Sequence, residues 1–476
     1  MFDLVIEGGN IIDGTGAPRF RADIGVINGS IQALGDLAGE NARTRVDATG
    51  LVVSPGFIDV HSHDDLFLLE KVSGPHPKVL QGVTTVVVGN CGISLAPLVT
   101  SAPPAPLNAL GADTFRFKGF DEFLNAVDEV EPVLNAVALV GHSTLRVAHM
   151  SDLSRPATPG EVVAMRASLE AALEHGAWGL STGLYYPTAS AASAAEVIEI
   201  GRPLSPRNAL IAMHIRDEGD QIDAALREAF AIGDALDVPI VLSHHKLVGV
   251  QNHGRSLETL ALVDEFSRKR SVCMDCYPYD ASSTMLLPAR VRQSREVLVT
   301  SSKSHPEAAG RSLFDLAKER QETPEATAAA LAPAGAIYFA MSEEDVGRIM
   351  SHPLTMVGSD GLVHDAHPHP RLWGTFPRVL GRYVRDRRLF SLEEAIHKMT
   401  GLSASRFAIS NRGTIKIGNC ADLVVFNAQT ITDRATYQDP SLPPEGIVRV
   451  FVNGKLACEN GTMTGSRAGR MLRKRS

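Results

Sequence analysis

Along the middle of the chain, short apolar and β-branched runs alternate with longer stretches rich in Ala and Glu. Thr84–Val88, Val137–Val140, Leu210–Met213, Ile240–Leu242 and Thr355–Val357 are too short for helices, and their composition predicts strands. Gly160–Glu174 and Asp223–Leu236 between them read as helices. Strand–helix alternation over roughly 350 residues predicts parallel βα units, and a (β/α)8 barrel is the closed α/β form that fits this length. An open doubly wound sheet is the competing architecture, but no GxGxxG fingerprint follows the first strands. From Thr284 to Gly335 the alternation gives way to Ala/Glu-rich sequence, read as a helical insertion near the barrel mouth.

The two ends have a different texture. Asp23–Ile27 and Ser30–Leu34 flank Asn28-Gly29, a two-residue hairpin signal. Ala421–Phe426 is a short apolar strand, and Val448–Val452 leads into a second Asn-Gly turn at Asn453-Gly454. Each end is too small to fold alone, so they are expected to pair into one small β-sandwich domain. The division is then 1–54 and 405–476 for the β-domain, with the catalytic barrel at 55–404 and its insertion at about 284–335.

Composition changes this picture little and narrows the function more. Hydrophobic residues make up 44% and charged residues 21%, ordinary for a globular protein. A net charge of -8 gives no general attraction to nucleic acid or anionic membranes. The one basic run, Arg467, Arg470, Arg473, Lys474 and Arg475, reads as a solvated, frayed tail. Five cysteines do not suggest a disulfide framework, and no apolar segment approaches bilayer-spanning length. A cytoplasmic protein acting on a small molecule is the expectation.

The candidate chemistry lies in where the polar residues fall. His61 and His63 close the apolar run Gly56–Val60, and at strand spacing residues i and i+2 share a face, so both imidazoles can aim into one pocket. Cys91 comes just after Thr84–Val88, His214 after Leu210–Met213, His244 after Ile240–Leu242, and Asp360 after Thr355–Val357. Each stands at the C-terminal end of a predicted strand, where barrel enzymes assemble their sites. Imidazoles with a thiolate and a carboxylate suit zinc rather than magnesium or calcium, and can leave a position open for water. His245 faces away from His244 if the strand continues, which leaves His244 as the ligand. Cys273 and Cys276 are split across strand faces by their spacing, so a core or surface role is expected for both. His142 reads as a substrate contact or a structural residue, and His367 and His369 as lid or surface.

These residues sit in motifs that resemble the D-aminoacylase (N-acyl-D-amino-acid deacylase) family of the amidohydrolase superfamily, over nearly the whole chain. The broad marks are Pro55–His63 and Gly413–Val424. The narrower ones are Gly89–Gly92, Ser181–Leu184, His214–Arg216, Ser243–Lys246, Tyr277–Tyr279 with Ser282–Thr284, Gly358–Gly361 and His369–Arg371. The resemblance implies a firmly held zinc on Cys91, His214 and His244. A weaker second metal on His61 and His63, bridged by Cys91, gives one or two Zn(2+) per subunit. It implies Asp360 as general base and acid, with Arg371, Lys246, Tyr277 and Ser283 binding the substrate α-carboxylate. Arg290, thirteen residues after Tyr277, then faces a γ-carboxylate and favours N-acyl-D-glutamate, although an exposed charge at the base of the insertion is the other reading and Arg292 is nearby. Apolar N-acyl-D-amino acids and D-dipeptides come next. A cyclic-amide hydrolase of the hydantoinase or dihydroorotase kind is disfavoured by Cys91 and by the lack of a bridging Lys. A non-catalytic scaffold is disfavoured by the complete donor set.

Overall fold

Short parallel strands carry the centre of the computed structural model, which describes residues 1–71, 74–111 and 113–474. They are β1 (Phe57–Asp59), β2 (Val83–Val88), β3 (Asn135–Ala138, resumed at Val140–Gly141), β4 (Gly179–Gly183), β5 (Leu210–His214), β6 (Ile240–Leu242), β7 (Val272–Cys276) and β8 (Thr355–Val357). The first stretch of β3 pairs with β2, which pairs with β1. The second stretch pairs with β4, and the order then runs through β5, β6 and β7 to β8, every pairing parallel. Just beyond β8 and β1, Gly361 and Ser62 form a further parallel bridge.

Side-chain alternation explains why these runs read as unbroken apolar sequence. Val87, Val137, Ala212, Val241, Cys273 and Met356 belong to one buried cluster. Their chain neighbours Val86, Val88, Ala136, Ala138, Ile211, Met213, Ile240, Leu242, Met274 and Val357 belong to another, shared with the helices. Strands covered on both faces need apolar residues at every position, and each fully buried Val or Leu contributes roughly 1.5–3 kcal/mol. Cys273 and Cys276 fall into different clusters, as their spacing requires. Trp178 and Phe407 join the first cluster, with Trp178 Nε1 donating to Phe407 O at 2.5 Å.

The helix expected at 160–174 spans Pro159–Glu174 and starts on a capping box. Thr158 Oγ1 accepts from Glu161 N, and Glu161 Oε2 accepts from Thr158 N at 2.7 Å, with Pro159 in the first turn. The helix expected at 223–236 spans Ile222–Leu236.

The chain ends join in one hydrogen-bonded nine-stranded sheet, in which Leu423–Phe426 pairs antiparallel with Val52–Pro55. Two expectations need correction. The insertion is not purely helical. Helices Leu313–Arg320 and Pro324–Leu331 accompany a three-stranded antiparallel sheet of Ser282–Met285, Ala334–Tyr338 and Val297–Ser302. Its strands have distant partners and many Ser, Thr, Ala and Gly residues, so local periodicity does not mark them. The C-terminal run is not frayed. Arg470 O accepts from Ala136 N at 3.0 Å, and Leu472 N donates to Ala136 O at 2.8 Å. Met471 is buried and Arg473 pairs with Asp128, while Arg475 lies outside the described residues. No helix among the described residues is long and apolar enough to cross a membrane.

Candidate active site

Each site residue follows from a strand end. His214 is the last residue of β5, His61 and His244 lie two residues beyond β1 and β6, and Cys91 and Asp360 lie three beyond β2 and β8. Cys91, His244 and Asp360 all have positive φ, of 55°, 37° and 50°. That conformation is uncommon for residues other than glycine and costs on the order of 1–3 kcal/mol each. The turns therefore aim these side chains inward against local backbone preference. Neighbouring glycines make room. A Cβ on Gly89 would lie 2.1 Å from Leu139 O, and one on Gly358 would lie 2.5 Å from the His61 Cβ and 2.7 Å from Asp275 Oδ1.

The strand ends bring the predicted donors into two overlapping groups, His61, His63, Cys91 and Asp360 in one and Cys91, His214 and His244 in the other, within 4.8 Å of each other in each group. Cys91 Sγ lies 3.2 Å from His61 Nε2 and 3.3 Å from His244 Nε2, and His244 Nε2 lies 2.9 Å from His214 Nδ1. Asp360 Oδ1 is 3.2 Å from His63 Nε2 and 3.6 Å from His61 Nε2. All six residues are buried. Burial would raise the Cys91 thiol, but the His61 and His244 imidazoles hold it well below its usual range. Burial likewise opposes ionisation of Asp360, and Arg371 and His63 nevertheless hold it well below the carboxylate range. A thiolate and four imidazoles gathered this closely suit zinc, which takes Cys and His ligands and can leave a position for water.

The residues expected to bind substrate line up beside this cluster. Arg371 Nη1 lies 2.9 Å from Asp360 Oδ2 as an ion pair without hydrogen-bond alignment, and Arg371 Nη2 donates to Ser283 O at 3.2 Å. The Arg371 guanidinium stands 4.6 Å from the Tyr277 ring centroid, with Lys246 Nζ at 5.7 Å from the same ring. Arg371 Nε, Arg371 Nη1 and Ser283 Oγ are buried and have no hydrogen-bond partner among the described residues. Unmade hydrogen bonds of this kind are costly, and a bound carboxylate would satisfy them. Lys246 and Arg290 are both buried, and both pair with Glu218. Arg290 also takes Tyr185 Oη through Nε at 2.8 Å.

Sequence reasoning missed several residues here. Asp275, in β7, holds His61 Nδ1 at 3.3 Å and accepts from His244 N at 2.9 Å. Its parity with the inward-facing Cys273 was a readable signal. Glu218 gave none, standing in a polar stretch after His214. Tyr185 and Tyr186 flank the His214 ring, with centroids at 5.7 and 4.8 Å. Asp64 and Asp65 follow His63 and are buried without hydrogen-bond partners among the described residues; burial raises them to about 6 and about 7.

The histidines left open take definite places outside the donor groups. His245 turns away and meets Thr259 Oγ1 at 3.0 Å, and His142 braces Glu196 Oε1 at 3.3 Å. His367 Nε2 donates to Tyr437 O. His369 accepts from Arg371 N at Nδ1 and so donates through Nε2 to Ala281 O, fixing the backbone that carries Arg371.

The amidohydrolase family pattern matches residues 44–204 and 217–457. A D-aminoacylase, an N-acyl-D-aspartate deacylase and an N-acyl-D-glutamate deacylase, all of Alcaligenes xylosoxydans xylosoxydans, are 51%, 50% and 47% identical. Each alignment covers 99% of this chain and 97%, 95% and 96% of the relative, respectively. A D-aminoacylase structure studied for the role of its binuclear metal centre superposes with a TM-score of 0.97 at 51% identity, covering 99% of this chain and 100% of that one. The N-acyl-D-glutamate deacylase of Bordetella bronchiseptica, complexed with zinc and a phosphonate mimic of the tetrahedral intermediate, gives 0.93 at 46%, with 99% of both chains covered. The parallel strands, the strand-end donors and similarity over the full length agree: this chain belongs to the amidohydrolase family, in its D-aminoacylase group, and has that family's (β/α)8 hydrolase fold.

Proposed function

We propose that this protein is a zinc-dependent hydrolase of N-acyl-D-amino acids, releasing a carboxylate and a free D-amino acid. The observation that carries the reading is the adjacency of two features: the buried thiolate–imidazole cluster, and beside it the buried atoms of Arg371 and Ser283 that lack hydrogen-bond partners among the described residues. The first suits metal-assisted amide hydrolysis, and the second suits an anionic group one amino-acid backbone away from the scissile bond. The relatives' activities point the same way. The reading takes the eight parallel strands as a closed barrel at 55–404, and residues 1–54 and 405–476 as the small β-domain.

Cys91, His214 and His244 would hold one zinc ion, and His61 and His63, with Cys91 shared, a second. When bound, zinc supplies Lewis-acid polarisation of the amide carbonyl and lowers the pKa of a bound water from ~15.7 towards ~7. Asp360 accepts the proton of the attacking water at Oδ1 and returns it to the departing amine nitrogen. Arg371 offers a two-pronged clamp for the α-carboxylate, with Ser283, Tyr277 and Lys246 around it. Fixing that carboxylate and the scissile amide leaves two positions on the α-carbon, which is how the site would select one enantiomer. Arg290 is the side-chain reader in this proposal, favouring N-acyl-D-glutamate.

The test is deacylation by zinc-loaded protein of N-acetyl-D-glutamate, N-acetyl-D-leucine and their L-forms. Turnover of D-substrates with inert L-forms is expected, with D-glutamate fastest. Activity on L-forms equal to that on D-forms, or on cyclic amides alone, would overturn the reading.

A further inference from the structure

Glu218 lies four residues past His214, outside any strand or helix, and is buried. Four basic groups converge on its one carboxylate. Oε1 lies 2.5 Å from Lys246 Nζ, 3.1 Å from His244 Nδ1 and 3.8 Å from His214 Nε2. Oε2 accepts from Arg290 Nη2 at 3.0 Å.

The contacts around His244 are in competition. Its Nε2 faces Cys91 Sγ and His214 Nδ1, which is the metal side. Its Nδ1 faces two groups, Glu218 Oε1 at 3.1 Å and Lys246 Nζ at 2.7 Å. An imidazole that ligates through Nε2 must carry its proton on Nδ1. A protonated Nδ1 can donate to the Glu218 carboxylate, but it cannot accept from an ammonium. Lys246 must then direct its donors to Glu218 Oε1 and to His244 O, which lies 3.0 Å away. Without the carboxylate, the ammonium would donate to Nδ1 instead. The ring proton would move to Nε2, where it blocks ligation.

We propose that Glu218 is a positioning residue that fixes the ligating tautomer of His244 while holding Lys246 and Arg290 at the substrate subsite. It does so by giving the lysine a better acceptor than the ring. This rests on reading Cys91, His214 and His244 as the metal ligands. His214 Nε2, which has no hydrogen-bond partner among the described residues, has Glu218 Oε1 at 3.8 Å, so a small shift would serve both rings. Partners of this kind typically change metal affinity by ~10–100-fold when lost.

The experiment measures zinc affinity by competition with a chromophoric chelator, on the full-length protein. Glu218→Gln keeps the shape and removes the charge, and is expected to weaken zinc by about tenfold or more. Adding Lys246→Met to that variant removes the competing donor, and is expected to return zinc affinity to within about threefold of wild type. A residue that merely supports the fold would lower the melting temperature of the metal-free protein in both variants and would not be rescued. Zinc affinity of Glu218→Gln within about twofold of wild type, or a double variant no better than the single, would overturn the proposal. Because no substrate enters the measurement, failure of the deacylation assay would sink the functional reading and leave this one standing. An active deacylase with unchanged zinc affinity in Glu218→Gln would do the reverse.

Discussion

Replacing Asp360 by Asn isolates one step of the proposed chemistry. The backbone should tolerate it: Asp360 sits at φ 50°, a conformation Asn accepts as readily as Asp, and Asp360 N still donates to His61 O at 2.7 Å. The amide matches the carboxylate in size and keeps one carbonyl oxygen near Arg371. What it lacks is the ability to take a proton at Oδ1, the atom 3.2 Å from His63 Nε2 and 3.6 Å from His61 Nε2. General acid–base help of this kind is worth ~10²–10⁴-fold, or ~2.7–5.4 kcal/mol of barrier at ~1.36 kcal/mol per tenfold. The expected result is a fall in kcat within that range. KM should change much less, because Arg371, Ser283 and Tyr277 remain. Zinc content should hold, since Cys91, His214 and His244 form a donor group without Asp360. Release of free D-amino acid is followed by chromatography on zinc-loaded wild type and variant, with bound zinc counted in the same samples. A kcat within tenfold of wild type at equal zinc content would remove Asp360 from the proton path.

Two further perturbations test neighbouring parts of the argument. Arg290→Ala deletes one charged hydrogen bond to a substrate carboxylate, worth about 1.5–3 kcal/mol, so kcat/KM for N-acetyl-D-glutamate should fall roughly 10–150-fold. N-acetyl-D-leucine should be affected far less, and equal losses for the two would show that Arg290 only braces Glu218. The second concerns acid stability. Burial would raise the Glu196 carboxyl, but hydrogen bonds from His142 and Arg146 outweigh it and bring the group from 4.5 to about 2. A carboxylate depressed on folding stabilises the protein above its unfolded pKa and loses that contribution as pH falls through the folded one. The loss therefore runs from about pH 4.5 down to about pH 2. Between about pH 5 and about pH 3 the urea midpoint of wild type should drop more steeply than that of Glu196→Gln; parallel slopes would refute the assignment.

How much of this was legible beforehand follows from whether each feature is written locally. The strand at Ile240–Leu242 and the helix over 222–236 stand where the pattern placed them, because short apolar runs and helical spacing are local signals. The capping box at Thr158 and Glu161 is local too. His61, His63, Cys91, His214, His244 and Asp360 stood out as polar residues at the ends of apolar strands, and the structure brings them together in space. Strands Ser282–Met285, Val297–Ser302 and Ala334–Tyr338 were not found, since each is stabilised by a partner distant in sequence.

By itself, then, the sequence determined the strand–helix rhythm, the polar residues at the strand ends, and through its motifs the family, since each is a property of residue type and spacing. Only the tertiary structure decided what those residues do to one another. It put Asp275 behind His61 and docked Met471 and Leu472 along Ala136. It also gathered His244, Lys246 and Arg290 around Glu218, a residue that the sequence did not single out. The physical reason is common to all three. A hydrogen bond or ion pair between distant residues depends on the path of the whole backbone, and in a charged stretch such as Arg216–Glu218 nothing local tells a solvated carboxylate from a buried one.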